Sequence, residues 1–184
     1  KSGWLARALA PEKLRGLALN TAVPLVLRGP GEVDTWAPSL LPDPSSDLVS
    51  RLASLYADDP PLAKALARAQ GLRSDPAMAA MSGMAGGAAA AGRQAVGALF
   101  RKAAEFAASP QGPQAVVLEM SGWDSHAAQA APQGALASNL AVLDAGLAAL
   151  REGLLGGGSG GAWSRTTVLV VTEFGREVAI NGTL

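Results

Sequence analysis

Apolar residues along this chain fall into two kinds of run, and each kind predicts a different element. The clearest run is helical. Leu136, Leu140, Leu143, Leu147, Leu150 and Leu154 recur at spacings of four and three, which is the stripe of one buried helix face. Val96, Leu99, Phe100, Ala103 and Phe106 make a second stripe and predict a helix that ends near Ser109-Pro110. Leu48, Leu52 and Leu55 follow Asp43-Pro44, and Leu62 and Leu66 follow Asp59-Pro60. In both, the aspartate can cap a helix and the proline can take its first position. Asp75-Pro76 opens a third segment of this type, and Gly3–Ala10 reads as the end of a further helix with Trp4, Leu5 and Leu9 on one side.

The other runs are short and continuous. Val116, Val117 and Leu118 lead into Glu119-Met120-Ser121-Gly122, and Thr166–Thr172 leads into Glu173-Phe174-Gly175-Arg176. Runs of this length read as strands covered on both faces. Residues 16–27 read as a further extended stretch, broken at Asn20-Thr21, before a turn at 28–31 and a loop from Trp36 to Pro42. Strand, leucine helix and strand within about 60 residues form a βαβ unit. The fold class is therefore α/β, with a parallel sheet and helices against it. Chemistry in such sheets gathers beyond the strand carboxyl ends. Here those ends hold Trp123, Asp124 and the only histidine, His126, in one loop, and Glu173 and Arg176 in the other.

Composition narrows the function. Fifteen Lys and Arg balance fifteen Asp and Glu, and no basic cluster or basic helix face stands out, which argues against a nucleic-acid partner. The sequence has no cysteine, so disulfides and thiolate metal sites are excluded. No apolar run reaches the roughly 18 residues of a membrane-spanning helix. Residues 77–95 are almost all Ala, Gly and Met and predict a loose helical or flexible stretch rather than a domain boundary, so residues 1–184 read as one domain. The glycine run 156–161 ends the leucine helix and is expected to be mobile. The chain begins without methionine and stops soon after a strand, so both ends look cut and an internal piece of a longer protein is expected. There is no P-loop, no G-x-G-x-x-G after a strand and no G-x-S-x-G elbow, so no nucleotide loop or nucleophile is nominated; Ser121 and Ser125 merely flank the histidine.

Each candidate has two readings. Asp124 and His126 together suit zinc, and a carboxylate with oxygen donors suits magnesium or manganese. The alternative is that His126 bonds a loop carbonyl while Asp124 caps a turn. Glu173 at a buried strand end needs a partner, and Arg176 three residues on can supply it, functionally or as a structural pair. Glu119, inside the first strand, must face a polar cavity, a partner charge or a sheet edge. Asp144 flanks the leucine stripe, and a solvated helix residue is the default. Trp123 is either a pocket wall or, the preferred reading, a core plug.

Taken together, Gly122-Trp123-Asp124-Ser125-His126, the helix with Leu143-Asp144, and Thr172-Glu173-Phe174-Gly175-Arg176 resemble a large bacterial family of uncharacterised sulfatase-like proteins. Ser2–Arg7, the segment 25–29 and Trp36-Ala37-Pro38 agree as well. That family falls in the alkaline phosphatase and sulfatase superfamily. The resemblance implies a three-layer α/β/α sandwich with a mostly parallel sheet, incomplete at both ends here, and a divalent-metal site at the strand ends. It implies Asp124 and His126 as metal ligands, with Glu173 a ligand or general base. Arg176 would hold Glu173 or bind a small anionic ester. Phe174 stands where a second ligand is usual and offers no donor. Relatives of this kind carry a Gly-Gly-Asn-Asp-Gly segment upstream, an Asp-His-Gly segment downstream and a twin-arginine export signal, none of them within these 184 residues. A periplasmic or otherwise exported hydrolase of phosphate or sulfate esters is thus expected, with the 184-residue chain inactive alone. A non-catalytic binding or scaffold protein on the same fold is the alternative. Oligomeric state is left open.

Overall fold

The computed structural model describes residues 2–38, 44–73, 88–126, 129, 131–156 and 161–175. In order they form α1 (Trp4–Leu9), β1 (Arg15–Ala18), a 3-10 turn (Leu25–Leu27), β2 (Glu32–Thr35), α2 (Ser46–Leu55), α3 (Pro60–Arg73), α4 (Ala88–Ala108), β3 (Ala115–Val117), α5 (Ala135–Leu155) and a second 3-10 turn (Ala162–Arg165). The fold is mixed α/β. A small sheet in the order β2-β1-β3 is parallel throughout, with Leu17 in register with Asp34 on one side and Val116 on the other.

Side chains alternate across a strand, so the sheet has two unlike faces. Leu17, Leu19, Trp36, Val116 and Leu118 belong to one cluster with Phe100, Ala103, Ala104 and Phe106 of α4 and Leu150 and Leu154 of α5. Ala18, Val33, Ala115 and Val117 belong to the other, closed by Leu9 and Leu27. Full burial of a leucine such as Leu17 or Leu154 is worth about 2 kcal/mol, so the first cluster holds most of the stabilising area.

The helix pair α4–α5 is the densest part of that cluster. Gly146 faces the Phe100 ring so closely that a Cβ there would lie 2.4 Å from a ring carbon. Gly153, seven residues on, meets Ala104 in the same way, at 2.6 Å. Small residues two turns apart let the axes approach. Lys102 of α4 is also buried, 1% exposed. Its Nζ lies 2.8 Å from Glu105 Oε2, 4.9 Å from the centre of the Phe106 ring and 5.7 Å from that of Trp36. A carboxylate and two aromatic faces offset the loss of water around the ammonium.

Several sequence expectations hold and others are corrected. The leucine helix is α5, but Leu140 on its stripe stays exposed while Gly146, off the stripe, is buried. Asp59 caps α3 through Oδ1, which accepts from the Leu62 N–H at 3.1 Å. The cap of α2 is Ser45, with Oγ accepting from the Leu48 N–H at 3.2 Å, and the helix starts at Ser46 rather than at Pro44. The stretch 16–27 holds the last three residues of β1 followed by a loop and a 3-10 turn, because the Asn20-Thr21 break comes directly after the ladder. β2 was not expected; its Glu32 and Asp34 disguise the alternation. Residues 88–95, expected to be loosely helical or flexible, are helical and form the start of α4.

The largest correction concerns 166–172. This stretch forms no strand among the described residues, and Leu169 and Val171 are 66% and 70% exposed. Apolar β-branched composition favours a strand only where a neighbouring edge and covering faces exist. The expectations for Asp43, Asp75-Pro76, 77–87, 157–160 and Arg176 lie outside the described residues.

Candidate functional site

β1 and β3 are neighbours and end side by side. One residue past the ladder, the Leu19 N–H donates to the Val117 carbonyl at 2.8 Å. Next come Asn20 and Glu119. Asn20 Nδ2 donates to Glu119 Oε2 at 2.9 Å, and Asn20 Oδ1 accepts from the Thr21 backbone N–H at 2.7 Å. The amide is thus fixed at both ends, and its direction sets the Glu119 carboxylate. The partner that Glu119 needs is a neutral amide across the strand ends.

From Glu119 the chain enters the loop expected to carry chemistry. Gly122 sits at φ +89°, a conformation that favours glycine. Its carbonyl accepts from Asn139 Nδ2 at 2.7 Å, which ties the loop to the second turn of α5. Trp123 is half-buried. Asp124 and His126 then meet, Oδ2 to Nε2 at 3.3 Å, with side chains 64% and 89% exposed. Exposure to this degree argues against a purely structural core pair. With bonds of about 2.0–2.1 Å, two donors on one tetrahedral zinc lie roughly 3.3–3.4 Å apart. The spacing of Asp124 and His126 therefore suits a shared cation, and both groups are accessible to one.

Glu173 is exposed in a bend that follows the irregular stretch 166–172, not at a strand end. It does not join the pair: among the described residues no group of three or more His, Cys, Asp or Glu side chains is gathered closely enough to hold a metal ion. Asp144 is exposed, as its default reading held.

The model of a family described as "Protein of unknown function (DUF1501)" matches residues 1–184. The chain belongs to the DUF1501 family. No curated protein and no solved structure matches it.

Two side chains of this candidate site were missed by sequence reasoning, Asn20 and Asn139. Each carried a signal. Asn20 follows the apolar run Leu17-Ala18-Leu19 as Glu119 follows Val116-Val117-Leu118, so both are first polar residues beyond a strand. Asn139 is a polar residue beside Leu140 at the start of the leucine stripe. A shallow open cleft lined by Ala10, Lys13, Pro30, Gly31 and Glu32 lies at the amino end of the sheet, opposite these loops. No described helix is long and apolar enough to cross a membrane.

Proposed function

We propose that this DUF1501 chain carries part of the site of a metal-dependent hydrolase of phosphate or sulfate esters, inactive as these 184 residues alone, built on a three-layer α/β/α sandwich of the alkaline-phosphatase class and periplasmic or otherwise exported. The single observation that carries the reading is the accessible Asp124–His126 pair, 3.3 Å apart, in the loop beyond a parallel strand. Asp124 and His126 Nε2 would hold zinc, manganese or magnesium, which supplies Lewis acidity toward the ester oxygens. Asn139 holds the loop that presents both ligands. Glu173, which stands apart from the pair, would have to close on it to act as a further ligand or general base, and Arg176 would steady Glu173 or bind the anionic ester.

A second reading, a non-catalytic exported binding or scaffold protein, has its own support. Glu173 stands apart from the pair, and Phe174 beside it brings no donor atom. Metal content by mass spectrometry, on the 184-residue chain and on His126→Ala, separates the two. Stoichiometric zinc, manganese or magnesium that disappears in the variant is the expected result. No metal in either folded protein would replace the hydrolase with the binding reading. Phosphate and sulfate ester turnover by the 184-residue chain itself is expected to be absent, because only two ligands are assembled among the described residues.

A further inference from the structure

The α2–α3 hairpin is attached to the sheet differently from every other helix. No residue of α2 is buried, and none of α3 from 60 to 71 is. Of the leucines that would anchor such helices, Leu48, Leu55 and Leu62 are 47%, 73% and 44% exposed, and Leu52 and Leu66 are only half-buried. Charge takes the place of apolar contact. Glu32 and Asp34 stand on β2 on the face shared with Leu17 and Trp36, where apolar residues would receive a helix. From α3, Lys64 and Arg68 are one turn apart and reach them together: Lys64 Nζ to Glu32 Oε1 at 2.7 Å, Arg68 Nη2 to Glu32 Oε2 at 2.5 Å, and Arg68 Nη1 to Asp34 Oδ1 at 3.5 Å.

We propose that α2–α3 is an electrostatically latched flap, which opens from β2 as a unit when the Lys64/Arg68–Glu32/Asp34 cluster is screened or broken, while α4, α5 and the sheet stay folded. Two physical facts carry this. Exposed ion pairs weaken as the screening length falls from about 8 Å at physiological salt to about 3 Å at 1 M. Apolar burial such as that between α4 and α5 is not weakened by sodium chloride in this way. Raising salt therefore acts on one helix pair and spares the other. The three contacts share Glu32 and Arg68, so losing either partner breaks most of the latch.

Hydrogen exchange on the full 184-residue chain tests this, in low and in 1 M sodium chloride. High salt should lower protection of α3 by about five- to tenfold, the scale of a few exposed pairs, with α5 unchanged. Glu32→Gln should lower α3 protection at low salt and remove most of the salt response. Glu32→Lys should open the hairpin further, and adding Lys64→Glu to it should restore part of the protection. Protection of α3 that is indifferent to both salt and Glu32→Gln would overturn the latch. So would loss of α5 protection in parallel with α3, since the hairpin would then be part of one cooperative unit.

Discussion

Two helix pairs flank the same sheet and are held by opposite means. Between α4 and α5, Gly146 and Gly153 give up their side chains so that Phe100 and Ala104 can enter, and Leu150 and Leu154 close behind them. Between α3 and β2 nothing is so enclosed, and contact rests on Glu32, Asp34, Lys64 and Arg68. Both pairs carry leucines at helical spacing. Leucine spacing therefore defines a helix face but not whether that face is covered. Covering depends on what the opposing surface offers, and β2 offers carboxylates.

The comparison can be broken most strongly at Gly146. Valine there would press on the Phe100 ring, and overpacking of this kind should destabilise the domain by about 3 kcal/mol, read as a lower urea midpoint. An unchanged midpoint would mean that the two helices do not approach at that point. A smaller effect is expected from Asp59→Ala, which removes the cap of α3. About 1 kcal/mol of helix stability should be lost. It should appear in the hydrogen exchange of α3 and leave the thermal midpoint of the core nearly unmoved. A midpoint that falls by several degrees would show that hairpin and core unfold together.

The mildest test is acid. The hydrogen bond from Lys64, and then the charge of Arg68, hold the Glu32 carboxyl below its ordinary value of 4.5. A depressed carboxyl stabilises the folded form above the unfolded-state value, and that contribution is lost as pH falls through the folded one. The groups facing Glu32 are Lys64 and Arg68, with Asp34 sharing Arg68. Protection of α3 should thus hold above about pH 4.5 and decline below it, and Glu32→Gln should flatten the Glu32 part of that decline. A Gln variant with the wild-type pH profile would remove Glu32 from the contact.

Much of the fold was readable along the chain because the responsible forces are local. The stripe that predicts α5 and the cap at Asp59 each depend on residues within a few positions, whereas the cap of α2 fell at Ser45, past the expected Asp43-Pro44. The first strand end was readable too, since a short apolar run meeting a polar loop marks the carboxyl edge of a sheet. β2 was not readable. A strand whose exposed positions face a charged helix looks like loop sequence. Lys102 shows the same limit from the other side. It sits three residues after Leu99 and four before Phe106, on the helix stripe, and its burial beside the rings of Trp36 and Phe106 and the carboxylate of Glu105 is a tertiary fact that the stripe does not announce. At the candidate site, Asp124 and His126 were visible as residue types, but Asn20, 99 positions from Glu119, could be joined to it only by strand pairing.

What the sequence alone determined is the set of local choices: helical periods, caps, the left-handed turn at Gly122, and the presence of an acid and an imidazole two residues apart. Those follow from side-chain spacing and backbone sterics, which act over a turn or two of chain. Only the tertiary structure decided which apolar surfaces are covered. It left Val168–Val171 exposed although their composition is that of a strand. It joined Asn20 to Glu119, and it held one helix pair by burial and the other by charge. Burial and ion pairing are properties of two surfaces meeting, and each segment carries only one of the two.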